Sequence, residues 1–477
     1  MKTLPKIILL ACCGLAQARD LVLGELPLLF ADDGGVAART NVTRTLHPAR
    51  TRSTPVLEAD QPWEGSRVYV YGSVYFDETT RLLRLWYMTR PQAFKGDAVL
   101  YATSSDGVRW QKPALGVHGS NNIVFNIHSP SVLLDKREPD PARHYKMLGS
   151  GSGGYRAAYS ADGLNWTAYP KNPVLKSGDT ITLAQDPATG EFLAYHKVPT
   201  KIRGFSRRVV WLARSRDMQT WTEPGLVFAP DAADDAWATG PQQRTEVYNM
   251  SVFPHAGGFL GLPTMFRVTT ARRPKDQLTP GQSPDDGPID VQLATSADGR
   301  AWQRTEPRTI MIPRGAPGTF DGGAILGVSS TSVDVGDETW VYYTALTTPH
   351  GGALPEKKLS IGRAEWRRHG FASLDAGAAT GRLETKPLQF GAPLLLINAD
   401  AKGGSLRVAL LEADGRALPG FGLDDSLPLT TDATRWTVRW KNAEKVPVDR
   451  PLRVVIELTN AKLFSLSAPL FASVVPP

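Results

Sequence analysis

Cysteine is nearly missing from this 477-residue chain: there are two, Cys12 and Cys13, and both lie in an apolar leader. The expected mature protein therefore has no disulfide, no thiolate metal site and no thiol nucleophile, and packing alone must hold it in an oxidising compartment. After the leader no apolar run approaches the ~20 residues needed to cross a bilayer. Long runs of helical period are also lacking, which excludes a helical solenoid. The formal charge of +7 falls to +5 when Lys2 and Lys6 leave with the leader. No basic cluster interleaved with aromatics points to nucleic acid. His47, His118, His144, His196 and His255 have neither cysteine partners nor paired helical spacing, which argues against zinc.

The leader itself is informative. Lys2 and Lys6 precede the apolar residues 7–15, and Ala16-Gln17-Ala18 supplies a small-x-small cleavage site. Residues 1–18 read as a signal peptide, with the mature chain starting at Arg19 in the periplasm or outside the cell and no membrane attachment after cleavage.

A box recurs through the chain: Ser104-Ser-Asp106-Gly107-Val-Arg-Trp110, Ser160-Ala-Asp162-Gly163-Leu-Asn-Trp166, Ser215-Arg-Asp217-Met-Gln-Thr-Trp221 and Ser296-Ala-Asp298-Gly299-Arg-Ala-Trp302. Each follows a strand-like run. Asp-Gly suits a tight turn, the carboxylate can accept turn amides, and the Trp can wedge between neighbouring units. Such a repeat, built on short strands, predicts an all-β fold, a five-bladed β-propeller followed by a β-sandwich. The expected organisation is an arm over 19–60, a propeller over 61–375 and a sandwich over 380–477. Residues 370–374 are expected to close the fifth blade. The Pro- and Gly-rich insertion between Thr269 and Gly287 is expected to overhang a binding mouth. The sandwich either braces the propeller or binds carbohydrate.

The repeats also set the phase, so that the entrance of each innermost strand can be read. That rim carries Trp63, Glu64 and Arg67, then His128, Asp179, Glu246 with Tyr248, and Asp321. Several acids around one axis raise one another's pKa unless cations intervene, an arrangement suited to bond cleavage. Glycoside hydrolysis needs such a set: one carboxylic acid protonates the leaving oxygen and another carboxylate attacks or activates water. On this reading Glu64 is base or nucleophile and Asp179 or Glu246 is the acid. Asp321, His128, His350, Arg67, Tyr248 and Trp63 hold substrate, and Lys197 and Arg267 stand nearby as charge partners. No cofactor or metal is called for, although carboxylates and water in a propeller channel suit a structural Ca²⁺.

At these residues the chain resembles the five-bladed propeller glycosidases of the invertase, levansucrase and arabinanase kind. It is similar in particular to secreted bacterial proteins related to glycoside hydrolase families 32, 43 and 68. The likeness rests on Thr43-Arg-Thr-Leu-His47-Pro, Asp60-Gln-Pro-Trp63-Glu64, Tyr101-Ala-Thr-Ser-x-Asp-Gly, Phe320-Asp321-Gly-Gly, Gly336-Asp-Glu338 and Pro349-His350-Gly. It implies a secreted enzyme hydrolysing O-glycosyl bonds of a poly- or oligosaccharide. The Asn-Asp-Pro, Arg-Asp-Pro and Glu-Cys segments of the sucrose-cleaving enzymes are absent. Glu64, His128 and Asp179 stand in their places, so sucrose or fructan specificity does not carry over. Alternatives are a propeller that binds carbohydrate without turnover, a glycoside phosphorylase, or a sialidase. The last would bring six blades and an arginine triad.

Overall fold

The computed structural model describes residues 21–91, 96–176, 178–443 and 445–469. The expected signal peptide lies outside them. Among the described residues there is no α-helix, and four short 3-10 turns punctuate an all-strand chain.

Five antiparallel sheets of four or five strands follow one another along the chain as blades of a propeller. The first joins Val68–Tyr69 and Val74–Asp77 to Leu82–Thr89, then Ala98–Ser104 and Ile123–Phe125. The second begins at His128–Leu134, the third at Ile181–Gln185, the fourth at Arg244–His255 and the fifth at Ala324–Val328. Hydroxyl side chains stitch the inner parts of successive sheets. Ser73 donates to the Val132 carbonyl, the Leu183 amide donates to Ser131 at 2.9 Å, and Thr182 donates to Asn249 at 3.2 Å. Ser251 donates to the Val328 carbonyl at 2.8 Å. The circuit closes where the Val70 amide of the first sheet donates to Thr344 of the fifth at 2.9 Å.

The boxes are built as their residues require. In the second copy Asp162 Oδ1 accepts the amides of Leu164 and Asn165, both at 2.8 Å, and Ser160 Oγ accepts the Gly163 amide at 2.9 Å. Gly163 has a left-handed backbone, φ 76°, and a Cβ there would meet Trp86 at 2.5 Å. The reason is docking: Trp86 of the preceding blade donates its indole N–H to the Gly163 carbonyl at 2.7 Å. Tyr195 grips the Gly299 carbonyl at 2.7 Å and Tyr342 grips that of Gly107 at 3.1 Å. Each of these turns is a tongue seated on the blade before it. The box Trp both wedges and folds back: Trp110 and Trp302 pack on Tyr342 and Tyr195 of the preceding blade, with ring centroids 5.5 and 5.9 Å apart, while Trp166, Trp221 and Trp302 donate to the turn carbonyls of Gly163, Met218 and Gly299.

The two ends of the chain are arranged differently from the expectation. Residues 21–46 are strands of the sandwich: Leu21–Leu23 and Val36–Thr40 join one six-stranded sheet, and Leu28–Leu29 and Thr43–Leu46 join the other. The run expected to close the fifth blade lies in Ala372–Ala376, which pairs with Ala461–Ser467 and Thr43–Leu46 in the sandwich. The fifth blade is instead finished by Arg50–Thr51, antiparallel to Leu359–Arg367. Between the sandwich sheets a continuous apolar core includes Phe30, Leu383, Ile397, Val454 and Leu463. Trp440 is in that core, its N–H on the Val408 carbonyl at 2.9 Å, and Trp436 packs against the core's side.

Candidate active site

Irregularities in the inner strands make the site. An extra residue in one strand of an antiparallel pair bulges it and re-aims a side chain. Tyr248 is such a residue, between the Val247–Met265 and Asn249–Thr264 pairs. Leu326 is another, between Ile325–Ala345 and Gly327–Thr344. The second blade is bulged just after His128, where Ser129 has φ 51°. His128, Tyr248 and Leu326 all line an axial cavity of about 380 Å³, together with Tyr69, Tyr71, Arg67, Arg90, Asp179, His350 and Lys357. Gly281, Gln282 and Ser283 of the 269–287 insertion also line it, so the insertion reaches the mouth.

Asp179 stands just before the third blade's inner strand, and its loop is pinned by Tyr155. The Asp179 amide donates to the Tyr155 hydroxyl at 3.1 Å, and that hydroxyl donates to the Thr180 carbonyl at 3.2 Å. A Cβ on Gly178 would fall 1.9 Å from the same ring, so only glycine lets the loop pass. Asp179 borders the axial cavity and both cavities beside it, of about 840 and 730 Å³.

A chain of charges runs through this carboxylate. His128 Nε2 is 2.9 Å from Asp179 Oδ1, and His128 Nδ1 is 3.0 Å from Asp97 Oδ2, off the N–H axis. Arg90 Nε donates to Asp97 at 2.6 Å. Lys197 Nζ lies 2.7 Å from Asp179 Oδ2 and 3.7 Å above the Tyr248 ring. Burial works against the charge on Asp179, yet Lys197 and His128 hold its pKa far below the carboxylate range. Burial likewise works against His128, but the Asp179 hydrogen bond and the charges of Asp179 and Asp97 prevail and raise its pKa from the ordinary histidine value. His350 behaves in the opposite way. Burial, reinforced by Lys357 and Arg208, pushes it down to about 3, against the pull of the Asp285 carbonyl at 2.9 Å from Nδ1. It is a neutral imidazole packed on Tyr248 and Phe266.

Of the residues read from the sequence, His128, Asp179, His350, Arg67 and Tyr248 line this one cavity. Glu64, Trp63 and Asp321 are not among the side chains that line the cavity. The turn Pro62–Glu64 folds the Glu64 carboxylate back into the first blade, where it is 0 % exposed. There it accepts Tyr87 at 2.6 Å, Lys112 at 2.8 Å and the amides of Asp60 and Gln61. Trp63 donates to Asn122 in that blade at 2.8 Å. Asp321 is buried under Tyr343 and Thr319, at 2.8 and 3.1 Å. Glu246 borders the adjoining larger cavity, but it is buried, with Arg208 on one of its oxygens and Arg244 on the other, the latter at 2.7 Å. Arg267 is paired with Asp290. The expected ring of acids is therefore a cationic well with Asp179 as the one carboxylate among its described lining residues.

Asp97, Arg90 and Lys357 were missed. Asp97 meets His128 only through blade-to-blade packing, and Lys357 follows a loop from the fifth blade, so no local pattern marks either. The Glu246 pairing had a signal: Arg244 and Glu246 are two apart on one strand and so share a face. Gln61 to Glu64 had one as well, the reciprocal contacts of a capping box. Among the described residues no group of three or more His, Cys, Asp or Glu is arranged to hold a metal.

No family model and no curated protein matches the chain. Solved structures similar to it include a Bombyx mori family-32 β-fructofuranosidase, 10 % identical at a TM-score of 0.41, covering 88 % of this chain and 94 % of that one. A Podospora anserina α-L-arabinofuranosidase in complex with cellotriose is 11 % identical at a TM-score of 0.44, covering 68 % and 98 %. A thermostable family-43 glycoside hydrolase is 17 % identical at a TM-score of 0.42, covering 61 % and 88 %.

Proposed function

We propose that this is an exported glycoside hydrolase whose axial cavity holds the sugar, with Asp179 and His128 as the reacting pair. One observation supports this above others: the Asp179 side chain is half exposed at the junction of three cavities, whereas Glu64, Glu246 and Asp321 are at most 2 % exposed. A carboxylate kept ionised by Lys197 can stabilise positive charge developing at an anomeric carbon. Asp179 and Asp97 favour the protonated form of His128 against its burial, and that proton can pass to the departing glycosidic oxygen. The C–O bond then breaks with its electron pair going to that oxygen, water closes the anomeric carbon, and the water's proton returns to the imidazole. Asp97 holds the ring in place, and Tyr69 and Tyr71, near-parallel at 6.2 Å, offer aromatic walls.

Reducing-end release from a panel of polysaccharides tests the reading. Asp179→Asn and His128→Gln should each lower kcat by about 10²–10⁴-fold. Full activity in both variants overturns the assignment.

A second reading, a binding propeller without turnover, is favoured by the tight pairing of Asp179 with two cations. Glycan retention on the protein with no new reducing ends in any polysaccharide would establish it.

A further inference from the structure

Cations in a protein are normally placed beside carboxylates, and two left together in a cavity destabilise each other. Arg67 and Lys357 are such a pair. A parallel bridge between Arg67 and Leu359 joins the first blade to the fifth and brings Arg67 alongside the Lys357 segment. Among the described residues neither side chain has a carboxylate within ion-pair distance. Arg67 reaches the Tyr69 hydroxyl at 3.4 Å. Lys357, only 5 % exposed, donates to the carbonyls of Gly281, at 3.1 Å, and His350. Burial and the nearby guanidinium of Arg67 push Lys357 down to about 8 against the weaker pull of Asp286, the electrostatic mark of a cation awaiting an anion. Arg90 lines the same cavity.

The excess of positive charge continues next door. The larger adjoining cavity is lined by Lys197, Arg208, Arg244 and Arg272. Its carboxylates are already taken: Asp179 by Lys197 and His128, Glu246 by Arg208 and Arg244, and the buried Asp285 behind them by all three arginines. A neutral pyranose in the axial cavity would strip water from Arg67 and Lys357 and return only hydroxyl contacts, whereas an oxyanion would make charge-assisted bonds with both.

Resting on the proposed sugar site, we infer that the ligand is an acidic sugar, carrying a carboxylate or sulfate that sits between Arg67 and Lys357. Free inorganic phosphate shares this chemistry, and the experiment separates the two. Calorimetry on the full mature chain compares D-galacturonate with D-galactose, D-glucuronate with D-glucose, and galactose 6-sulfate with galactose, and measures inorganic phosphate alone. The acidic member of at least one pair should bind at least tenfold more tightly, and the preference should shrink as NaCl rises from 50 to 500 mM. It should fall at least fivefold in Arg67→Met and in Lys357→Met. Arg67 is the more exposed of the two and keeps the test open if loss of the Lys357 bonds impairs folding.

Equal affinity within every pair, a preference unaltered in a folded Arg67→Met variant, or binding of phosphate with no acidic sugar overturns the inference. Hydrolysis of neutral glycans without any acidic preference removes this inference and leaves the catalytic reading intact. Acidic-sugar binding with no turnover of any glycan does the reverse.

Discussion

A carboxylate at a strand entrance can face the axis or fold back into its own blade, and the choice rests on one or two neighbours. Glu64 folds back because the turn offers it two amides while Tyr87 and Lys112 wait behind. Its role is therefore structural. In Glu64→Gln the new amide N–H₂ would face the donors of Lys112, Asp60 and Gln61, so about 3 kcal/mol of stability should be lost with kcat unchanged. Denaturant unfolding and an activity assay check this together; a drop in kcat at full occupancy with unchanged stability would return Glu64 to the site. Asp179 faces outward because Tyr155 and the bare backbone of Gly178 leave it no other path. Gly178→Ala should therefore displace Asp179 and reduce activity at least tenfold, in a protein whose circular dichroism still reports strand.

At the scale of the element, the boxes are the parts most fully legible in the sequence, because four copies repeat one local solution and need no tertiary knowledge. They also store acid sensitivity. Burial alone would raise Asp106, but the amides of Arg109 and Val108 and the Ser104 hydroxyl pull it down to about 2. Asp162, Asp217 and Asp298 are lowered by the same kind of contacts. A depressed folded-state pKa contributes stability that is present above the ordinary value near 3.8 and is lost as pH falls through the folded value. Melting temperature should therefore drop between about pH 4 and pH 2. Replacing all four aspartates by asparagine, which still accepts amides but does not titrate, should flatten that part of the profile. An identical acid slope would show that other groups carry it. The strand of residues 50–51 was illegible for the opposite reason: two residues have no measurable period, and only their partner defines them.

For the whole molecule, the propeller and the sandwich were foreseeable from the change of texture near residue 375, but their interweaving was not, since sheet membership over hundreds of residues leaves no local trace. The site divides in the same way. His128, Asp179, Tyr248 and Arg67 followed from the phase of the blades, whereas Asp97 and Lys357 arrive by packing. Electrostatics at this scale predict the pH behaviour of turnover. Activity that needs protonated His128 should persist past pH 6.5 and fall as the imidazole loses its proton, and Asp97→Asn should move that alkaline limb to lower pH. A limb unmoved by Asp97→Asn would mean that another group sets it.

The seam at Arg50–Thr51 has a temporal meaning. Residues made first find their partners among those made late, at 359–367, 372–376 and 461–467. A chain not yet extended past residue 367 cannot finish the fifth blade, and one without residues 452–467 cannot assemble the sandwich around its first strands.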